Sequence, residues 1–139
     1  MNNVQAKPVS CQVIYNPFDI TKIQSMADEP VIKPFEKYFI HIGSFEERKR
    51  HDRLLQAYKL SGVDTPLILM GKGALRQKIE LMIDNMELGN KVTIIDFQKN
   101  PYPYIKAAQA LILTSDAEGL PTVLIEALIC HTPVISVDC

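Results

Sequence analysis

Five short apolar runs alternate with helical patterns, and this alternation constrains the fold of the chain more than any other feature. The runs cover residues 38–42, 67–70, 92–97, 110–114 and 133–137. Most of them are nearly continuous, which is typical of strands that are buried on both faces. The first two runs end at Gly43 and Gly71, where the chain can turn.

Helical patterns occupy the gaps between the runs. One apolar face is formed by His51, Leu54, Leu55 and Tyr58, and a second by Leu75, Ile79, Met82, Ile83 and Met86. We also expect a short helix over residues 102–108 and another over residues 120–130. Strand–helix alternation of this kind predicts an α/β fold, a Rossmann-like parallel sheet flanked by helices, with right-handed crossovers.

The carboxyl ends of the parallel strands are the expected place for a ligand. Gly43, Gly71, residues 98–101, residues 115–119 and Asp138 all follow a predicted strand. We therefore expect the strand order to switch beside the first strand, with Gly43 and Glu118 facing one crevice.

Composition excludes several classes of function. The chain of 139 residues is 47% hydrophobic, as in a globular domain of ordinary size. Fifteen basic and sixteen acidic residues leave a formal charge of −1, so charge gives no reason to expect a nucleic-acid partner. No apolar run approaches the ~18 residues of a membrane span.

The three cysteines, Cys11, Cys130 and Cys139, form no metal-ligand spacing. We therefore expect reduced thiols and a cytoplasmic protein. Any contact with the inner face of the membrane would be made by another domain.

The two ends of the chain differ from its middle. Residues 1–36 contain four prolines and little periodicity, with a possible short strand at residues 13–15, and we interpret them as a linker or the edge of a missing N-terminal domain. Residues 37–139 would be the α/β domain. Because the sequence stops directly after the fifth run, we expect this domain to be truncated at its C-terminus.

Residues 118–126, Glu-Gly-Leu-Pro-Thr-Val-Leu-Ile-Glu, carry the clearest functional signal. Pro121 fits the first turn of a helix, which leaves free N–H groups between the two acids, a natural phosphate site. Glu126 lies among apolar residues with no Lys or Arg three or four positions away, so a local ion pair does not explain it. The order acid, anion site, acid matches the sugar, diphosphate and ribose of a nucleotide-sugar. The alternative is that Glu118 only favours the helix dipole and that Glu126 points to solvent.

Two basic or glycine-rich turns have weaker signals. Gly71-Lys72-Gly73 lacks the third glycine of a dinucleotide fingerprint and the ending of a P-loop, and alone it is consistent with a tight connection. Arg48-Lys49-Arg50 places cations at the start of a helix, where they oppose the dipole unless a polyphosphate binds. The alternative is a solvated turn balanced by Glu46 and Glu47.

Other residues have competing interpretations. Asp116 with Glu118 suggests a metal site or a paired-carboxylate hydrolase. His41 is interpreted as a core residue, and His51 as a phosphate contact or a helix-surface residue. Tyr102 and Tyr104 either stack on a base or pack in the core.

Together these residues resemble the retaining glycosyltransferases of family 4 (group 1), which have the GT-B architecture of two Rossmann-like domains. The resemblance covers about residues 12–139. It is carried by residues 14–19, by Gly43-Ser44-Phe45 followed by Lys49 and His51, and by residues 69–73, 92–97, 104–115, 118–126 and 133–136. It implies that the chain is the C-terminal, donor-binding half and that the acceptor-binding half is missing.

The resemblance also implies roles for individual residues. Glu126 would hydrogen-bond the ribose, Glu118 would contact the donor sugar, and Lys49 would neutralise the diphosphate. Lys49 and Glu118 are then the candidate catalytic residues. The remaining candidate donor-binding residues are Gly43, Ser44, Gly71, Gly73, Gln98, Lys99, Asn100, Gly119, Leu120, Pro121, Thr122 and Val123. Of these, Gln98 to Asn100 would contact the base. The backbone amides of residues 119–123 would face the diphosphate or the sugar, except at Pro121, which has no N–H.

One residue departs from the family pattern. Ser44 stands where the family usually has an arginine, and a serine supplies no fixed charge. Either Arg48 or Arg50 compensates, or donor affinity and turnover are reduced.

The chemistry implied is transfer of a glycosyl group from a nucleoside-diphosphate sugar to an acceptor hydroxyl, with retention, in bacterial polysaccharide or glycolipid assembly. No Asp-x-Asp motif is present, so neither a metal nor another cofactor is expected. The acceptor would bind through the missing domain, so the chain alone should bind donor without turnover. Two other hypotheses remain at this point: a nucleotide-sugar epimerase of related fold, and a non-enzymatic flavodoxin-like module.

Overall fold

A parallel five-stranded sheet forms the centre of the protein. The computed structural model describes residue 12 and residues 16–138. Its strands are β1 (Phe39–Ile42), β2 (Leu67–Gly71), β3 (Val92–Asp96), β4 (Ala110–Leu113) and β5 (Val134–Ser136). The order across the sheet is β3-β2-β1-β4-β5, and every neighbouring pair is parallel. The predicted fold class is therefore confirmed, and the predicted strand ends differ from the observed ones by one residue at most.

Helices cover both faces of this sheet. They are α1 (Ile20–Ala27), α2 (His51–Ser61), α3 (Arg76–Asn85), α4 (Tyr102–Ala107) and α5 (Thr122–Ile129), and Glu47–Lys49 forms one turn of 3₁₀ helix before α2. The apolar faces of α2 and α3 pack with Leu67, Leu69 and Val92 in one core cluster. The opposite cluster joins Ile40, Met70 and Leu111 of the sheet to α1, α4 and α5.

Helix α1 was not predicted from the sequence. The Asp19 carboxylate caps it by accepting a hydrogen bond from the Lys22 N–H at 2.9 Å. Ile23 and Ala27 are buried in the core cluster shared with α4 and α5. Residues 20–27 therefore pack on the domain, whereas a linker role for residues 1–36 stays a prediction. The proposed strand at residues 13–15, Cys11 and Cys139 lie outside the described residues.

The strand order switches beside β1, as predicted. The chain runs from β1 outward to β2 and β3, then returns to the other side of β1 to form β4 and β5. Loops that follow β1 and β4 leave the sheet in opposite directions at such a point and open a crevice between them. The residues after these two strands include Gly43 and Glu118.

Two glycines allow the chain segments after β1 and β2 to approach each other. A Cβ at Gly71 would lie 1.9 Å from the Gly43 carbonyl oxygen, and one at Gly73 would lie 2.6 Å from the Phe45 carbonyl oxygen. Phe45 N–H donates to the Lys72 carbonyl at 2.9 Å across the same contact. Any side chain at Gly71 or Gly73 would force these segments apart.

Candidate functional site

A cleft of about 580 Å³ opens at the carboxyl ends of β1, β2 and β3. We call it the strand-end cleft. Among its lining residues are five of the predicted donor-binding residues, namely Gly43, Ser44, Gly71, Gly73 and Gln98. Six further residues line it that the sequence analysis did not select as site residues: Ile42, Glu46, Met70, Lys72, Phe97 and Pro101. The cleft thus combines apolar walls with a few polar groups, the usual character of a small-molecule site.

Lys49 and Glu118 form an ion pair at the switch point. The Lys49 ammonium donates to the Glu118 carboxylate at 2.5 Å, and the two side chains are 12% and 9% exposed. The Lys49 side chain also passes Gly43, since a Cβ there would lie 3.5 Å from Lys49 Cδ. Lys49 therefore lies between Gly43 and Glu118 at the switch point, as their predicted proximity requires, whereas a single crevice faced by both residues stays a prediction.

The charge state of Glu118 is set by its cations. Burial alone would raise the pKa of Glu118, but the hydrogen bond from Lys49 and the charges of Lys49 and Arg48 hold that pKa below its usual range. The Arg48 guanidinium lies 3.7 Å from the second Glu118 oxygen. Glu118 is therefore an ionised carboxylate facing two cations at neutral pH.

The loop at residues 114–121 carries Glu118, and its neighbour Asp116 has a different environment. Arg50 and Arg53 hold the Asp116 carboxylate at 3.1 and 2.6 Å. No group of three or more metal-binding side chains occurs among residue 12 and residues 16–138. Since both carboxylates of the proposed metal or hydrolase pair are neutralised by cations, that interpretation loses its support.

Helix α5 begins one residue later than Pro121. The helix was predicted over residues 120–130 with Pro121 in its first turn, but Pro121 occupies the N-cap position with ψ 82°, and no side chain caps the helix. The first backbone hydrogen bond of this end runs from Leu124 N–H to the Pro121 carbonyl at 3.0 Å. The N–H groups of Thr122 and Val123 precede it and have no partner within the helix. Gly119 and Leu120 are exposed beside them.

Glu126 lies in a second cavity, between α1 and α5. This α1–α5 cavity has a volume of about 580 Å³, and the predicted residues Lys99, Thr122 and Glu126 line it together with Lys22 and Tyr102. Burial raises the pKa of Glu126, with a smaller opposing effect of the Tyr102 hydroxyl. No ion pair to Glu126 occurs within the described part of the chain. The apolar neighbours of Glu126 in the sequence predicted that its charged form is unfavourable, and the raised pKa agrees with that prediction.

The segment after β3 connects the two cavities. Gln98 lines the strand-end cleft, while the next residue, Lys99, lines the α1–α5 cavity. The Asn100 amide donates to the Met26 carbonyl at 3.0 Å and to the Glu29 carboxylate at 2.8 Å. Asn100 therefore ties this segment to the end of α1, and its contact with a base stays a prediction.

The two histidines near the switch point are buried. His41 is fully buried, as predicted for a core residue, and its Nδ1 lies 2.9 Å from the Ile112 carbonyl oxygen. His51 is only 4% exposed, so a helix-surface role is wrong for it. Its ring packs edge-on against His41 and Phe45 at centroid distances of 4.8 and 5.1 Å. Burial lowers the pKa of His41 to about 4 and that of His51 to about 3.

The two tyrosines of α4 differ. Tyr104 is buried and accepts the Tyr38 hydroxyl hydrogen bond through its backbone carbonyl at 2.7 Å, so packing is confirmed for it. Tyr102 faces the α1–α5 cavity beside Glu126.

The family of the chain follows from comparison with known proteins. The profile of the family described as glycosyl transferases group 1 matches residues 23–139. The chain belongs to this family. A Methanocaldococcus jannaschii relative, described as an uncharacterized glycosyltransferase, is 34% identical over 137 residues, which are 92% of the chain and 34% of the relative.

A second relative has a more specific name. The Campylobacter jejuni N-acetylgalactosamine-N,N'-diacetylbacillosaminyl-diphospho-undecaprenol 4-alpha-N-acetylgalactosaminyltransferase is 30% identical over 138 residues, which are 99% of the chain and 38% of that enzyme. The chain therefore spans little more than a third of the length of these two relatives.

Solved structures share the fold. A lipopolysaccharide outer core galactosyltransferase, in its apo form, superposes with a TM-score of 0.74 at 27% identity, over 92% of the chain and 37% of the enzyme. An Anabaena protein solved with UDP and glucose has a TM-score of 0.73 at 22% identity, over 90% of the chain and 37% of that protein, and at this identity the comparison shows only that the fold is shared.

Within the described residues, no helix has the length and apolar character needed to cross a membrane.

Sequence reasoning missed one exposed aromatic residue of the cleft. Phe97 was placed at the end of β3, but it lies beyond the strand, 60% exposed, with the Lys72 ammonium 5.0 Å from its ring centroid. An aromatic residue at the carboxyl end of a strand was the available signal, since such positions face the ligand crevice.

Proposed function

We propose that this family member is the donor-binding part of a retaining glycosyltransferase of family 4, the C-terminal half of a GT-B enzyme. The reaction is transfer of a sugar from a nucleoside-diphosphate sugar to an acceptor hydroxyl. The observation that carries this proposal is the partly buried Lys49–Glu118 ion pair beside the strand-end cleft, at the point where the strand order switches. The acceptor would bind through a domain outside this chain.

Lys49 is the proposed partner of the donor diphosphate. The Lys49 ammonium donates to the Glu118 carboxylate, so an anionic oxygen of the donor could compete for the same ammonium. Arg48 adds a second positive charge 3.7 Å from the same carboxylate. Cations fixed in place before the reaction stabilise the charge that develops on the departing diphosphate, so no metal is required for this role.

Glu118 and the start of α5 are proposed to bind the sugar and the phosphates. Glu118 remains ionised and can accept hydrogen bonds from sugar hydroxyls once the diphosphate takes over Lys49. The N–H groups of Thr122 and Val123, which have no partner within the helix, would face the phosphate oxygens. Glu126, further along the helix, would accept the two ribose hydroxyls, which gives a functional reason for a carboxylate whose pKa is raised by burial.

The structure distinguishes the two arginines that were proposed to compensate for Ser44. The Arg50 guanidinium is taken up by Asp52 and Asp116 at 2.8 and 3.1 Å. Arg48 is half exposed, and among the described ion pairs its guanidinium lies 3.2 Å from the exposed Glu46 and 3.7 Å from Glu118. We therefore assign the compensating charge to Arg48.

The relatives support a setting in glycolipid or polysaccharide assembly. Their names include a glycosyltransferase acting on a diphospho-undecaprenol-linked sugar and one of the lipopolysaccharide outer core. Because a structural neighbour was solved with UDP and glucose, uridine diphosphate sugars are the first donors to test. The proposed place of action is the cytoplasm or the inner face of the membrane, and the chain alone is expected to bind donor without turnover.

A calorimetric screen of UDP-, GDP- and ADP-sugars against the chain tests this proposal. One nucleotide series should bind clearly better than the others, and Glu126→Gln should weaken that binding by about ten-fold, because a hydrogen bond to a charged acceptor is worth roughly 1.5–3 kcal/mol. Glu36→Gln, at an exposed position, is the matched control and should bind normally. If no nucleotide-sugar bound, or if Glu126→Gln bound as well as the control, the proposal would be wrong.

A further inference from the structure

We propose that Asp116 is a positioning residue, which holds the loop at residues 114–121 against the turn at residues 48–50 and so keeps Glu118 on Lys49. Its effect on donor binding rests on the proposed function, but its effect on the Lys49–Glu118 pair does not. The proposal is carried by a set of contacts between two segments that are far apart in sequence and that each supply one member of the ion pair.

The Asp116 carboxylate binds two arginines on the α2 side. Arg53 Nη2 donates to Oδ1 at 2.6 Å, and Arg50 Nη1 donates to both oxygens at 3.2 and 3.1 Å. These arginines lower the pKa of Asp116, led by the hydrogen bond from Arg50. Asp116 therefore joins the loop to the beginning of helix α2 by three charge-assisted hydrogen bonds.

Backbone contacts connect the same two segments. The Asp116 N–H donates to the Arg48 carbonyl at 2.9 Å. The Thr114 hydroxyl lies 3.1 and 3.2 Å from the carbonyl oxygens of Lys49 and Arg50, and Arg53 Nη1 donates to the Thr114 carbonyl at 3.2 Å. Lys49 and Glu118 thus stand on two segments that are joined by contacts of Thr114 and Asp116.

Arg50 adds a strained backbone to this arrangement. Its φ of 51° lies in the left-handed region, which is unfavourable for a residue with a side chain. Such a conformation persists where contacts with the rest of the fold fix it, and from the loop Asp116 holds the Arg50 side chain while the Thr114 hydroxyl contacts its carbonyl oxygen. Because Arg50 directly follows Lys49, its backbone conformation sets how the turn that carries Lys49 continues into helix α2.

The exposure of Asp116 separates positioning from stability. Its side chain is 47% exposed, and ion pairs at such sites add little to folding stability because water screens them. Removal of its charge should therefore leave the domain folded but loosen the loop. Asp52 provides the matched control, because it binds the same Arg50 at 2.8 Å but lies on α2 and has no contact with the loop among the described hydrogen bonds.

The experiment compares Asp116→Asn with Asp52→Asn in the full chain. Carbon-13 NMR titration of the Glu118 carboxyl reports on its contact with Lys49. In Asp116→Asn the titration midpoint of Glu118 should move up towards the ordinary glutamate range, whereas in Asp52→Asn it should stay as in the parent. UDP should bind about ten-fold more weakly to Asp116→Asn but normally to Asp52→Asn, because displacement of Lys49 and Glu118 takes them out of the geometry that the ligand requires.

A second variant tests the same contact from helix α2. Arg53→Lys keeps the charge but removes the fork that spans Asp116 and the Thr114 carbonyl, so it should move the Glu118 midpoint in the same direction. An unchanged Glu118 midpoint in Asp116→Asn and Arg53→Lys would overturn the proposal. If the parent chain bound none of UDP, GDP and ADP, the proposed function would fail, whereas the titration would still decide whether Asp116 positions Glu118.

Discussion

The Lys49–Glu118 ion pair should be worth more to stability than an exposed ion pair. We expect a coupling free energy of about 2 kcal/mol between Lys49→Met and Glu118→Gln in a double-mutant cycle at pH 7. Each single variant should lose about this amount, and the double variant should lose little more than either single one. The reason is that the second substitution removes a group that the first has already left without its partner.

The magnitude follows from the geometry. Unit charges 2.5 Å apart attract by roughly 7 kcal/mol at an effective dielectric constant of about 20. The side chains are only 12% and 9% exposed, so withdrawal of the two ions from water offsets most of this attraction, at several kcal/mol. The net value is that of a hydrogen bond between charged groups, roughly 1.5–3 kcal/mol. For a chain of this length, 2 kcal/mol lowers the melting temperature by about 7 °C.

Urea unfolding of the parent, the two single variants and the double variant measures this coupling. Because the pKa of Glu118 is held below its usual range, the coupling should be present above the ordinary glutamate pKa of about 4.3 and should disappear as pH falls through the lower, folded-state value. Additive losses at pH 7, within about 0.5 kcal/mol, would refute the reasoning and show that the two side chains do not interact in solution.

Three further predictions concern stability. Glu126→Gln should leave the melting temperature at pH 7 unchanged or higher, because burial raises the pKa of this unpaired carboxyl and the charged form is the costly one; a marked drop in differential scanning fluorimetry would make it a structural residue. Gly71→Ala should cost about 3 kcal/mol or more in urea unfolding, because its Cβ would meet a carbonyl oxygen at 1.9 Å, whereas Gly89→Ala meets nothing within 4 Å and should cost far less. Since burial lowers the pKa of His51 to about 3, the parent should lose stability as pH falls from about 6.5 towards that value, by at most about 1.4 kcal/mol per pH unit for this group. His51→Leu should flatten this dependence in thermal melts across pH 4–7, and His131→Asn, at an exposed position, should not.

The sheet was predictable because its signals are local. Strands buried on both faces give continuous apolar runs, and Gly43 after β1 and Gly71 at the end of β2 mark where they stop, so the observed bounds agree closely with the predicted ones. The switch point beside β1 was predicted from the alternation of strands and helices, and Lys49 lies there between Gly43 and Glu118.

Features that depend on distant contacts were not predictable. Helix α1 has local signals that were overlooked, namely the Asp19 N-cap and the helical spacing of Ile20, Ile23 and Ala27. What its sequence could not show is that Ile23 and Ala27 pack in the core shared with α4 and α5. The Arg50 side chain binds Asp116, which lies 66 positions further along the chain. The basic turn alone could therefore reveal neither this contact nor the left-handed backbone of Arg50. Pro121 was placed one position too far into α5, because proline is compatible with either side of a helix start.

The central claim is that Lys49 binds the diphosphate of a nucleotide at the switch point. Calorimetric titration of UDP and of uridine into the chain, at low and at high salt, tests it most directly. UDP should bind more tightly than uridine, the difference should shrink at high salt because charges are screened, and Lys49→Met should abolish most of the difference while still unfolding cooperatively. Equal affinity for UDP and uridine in the parent chain would contradict the claim.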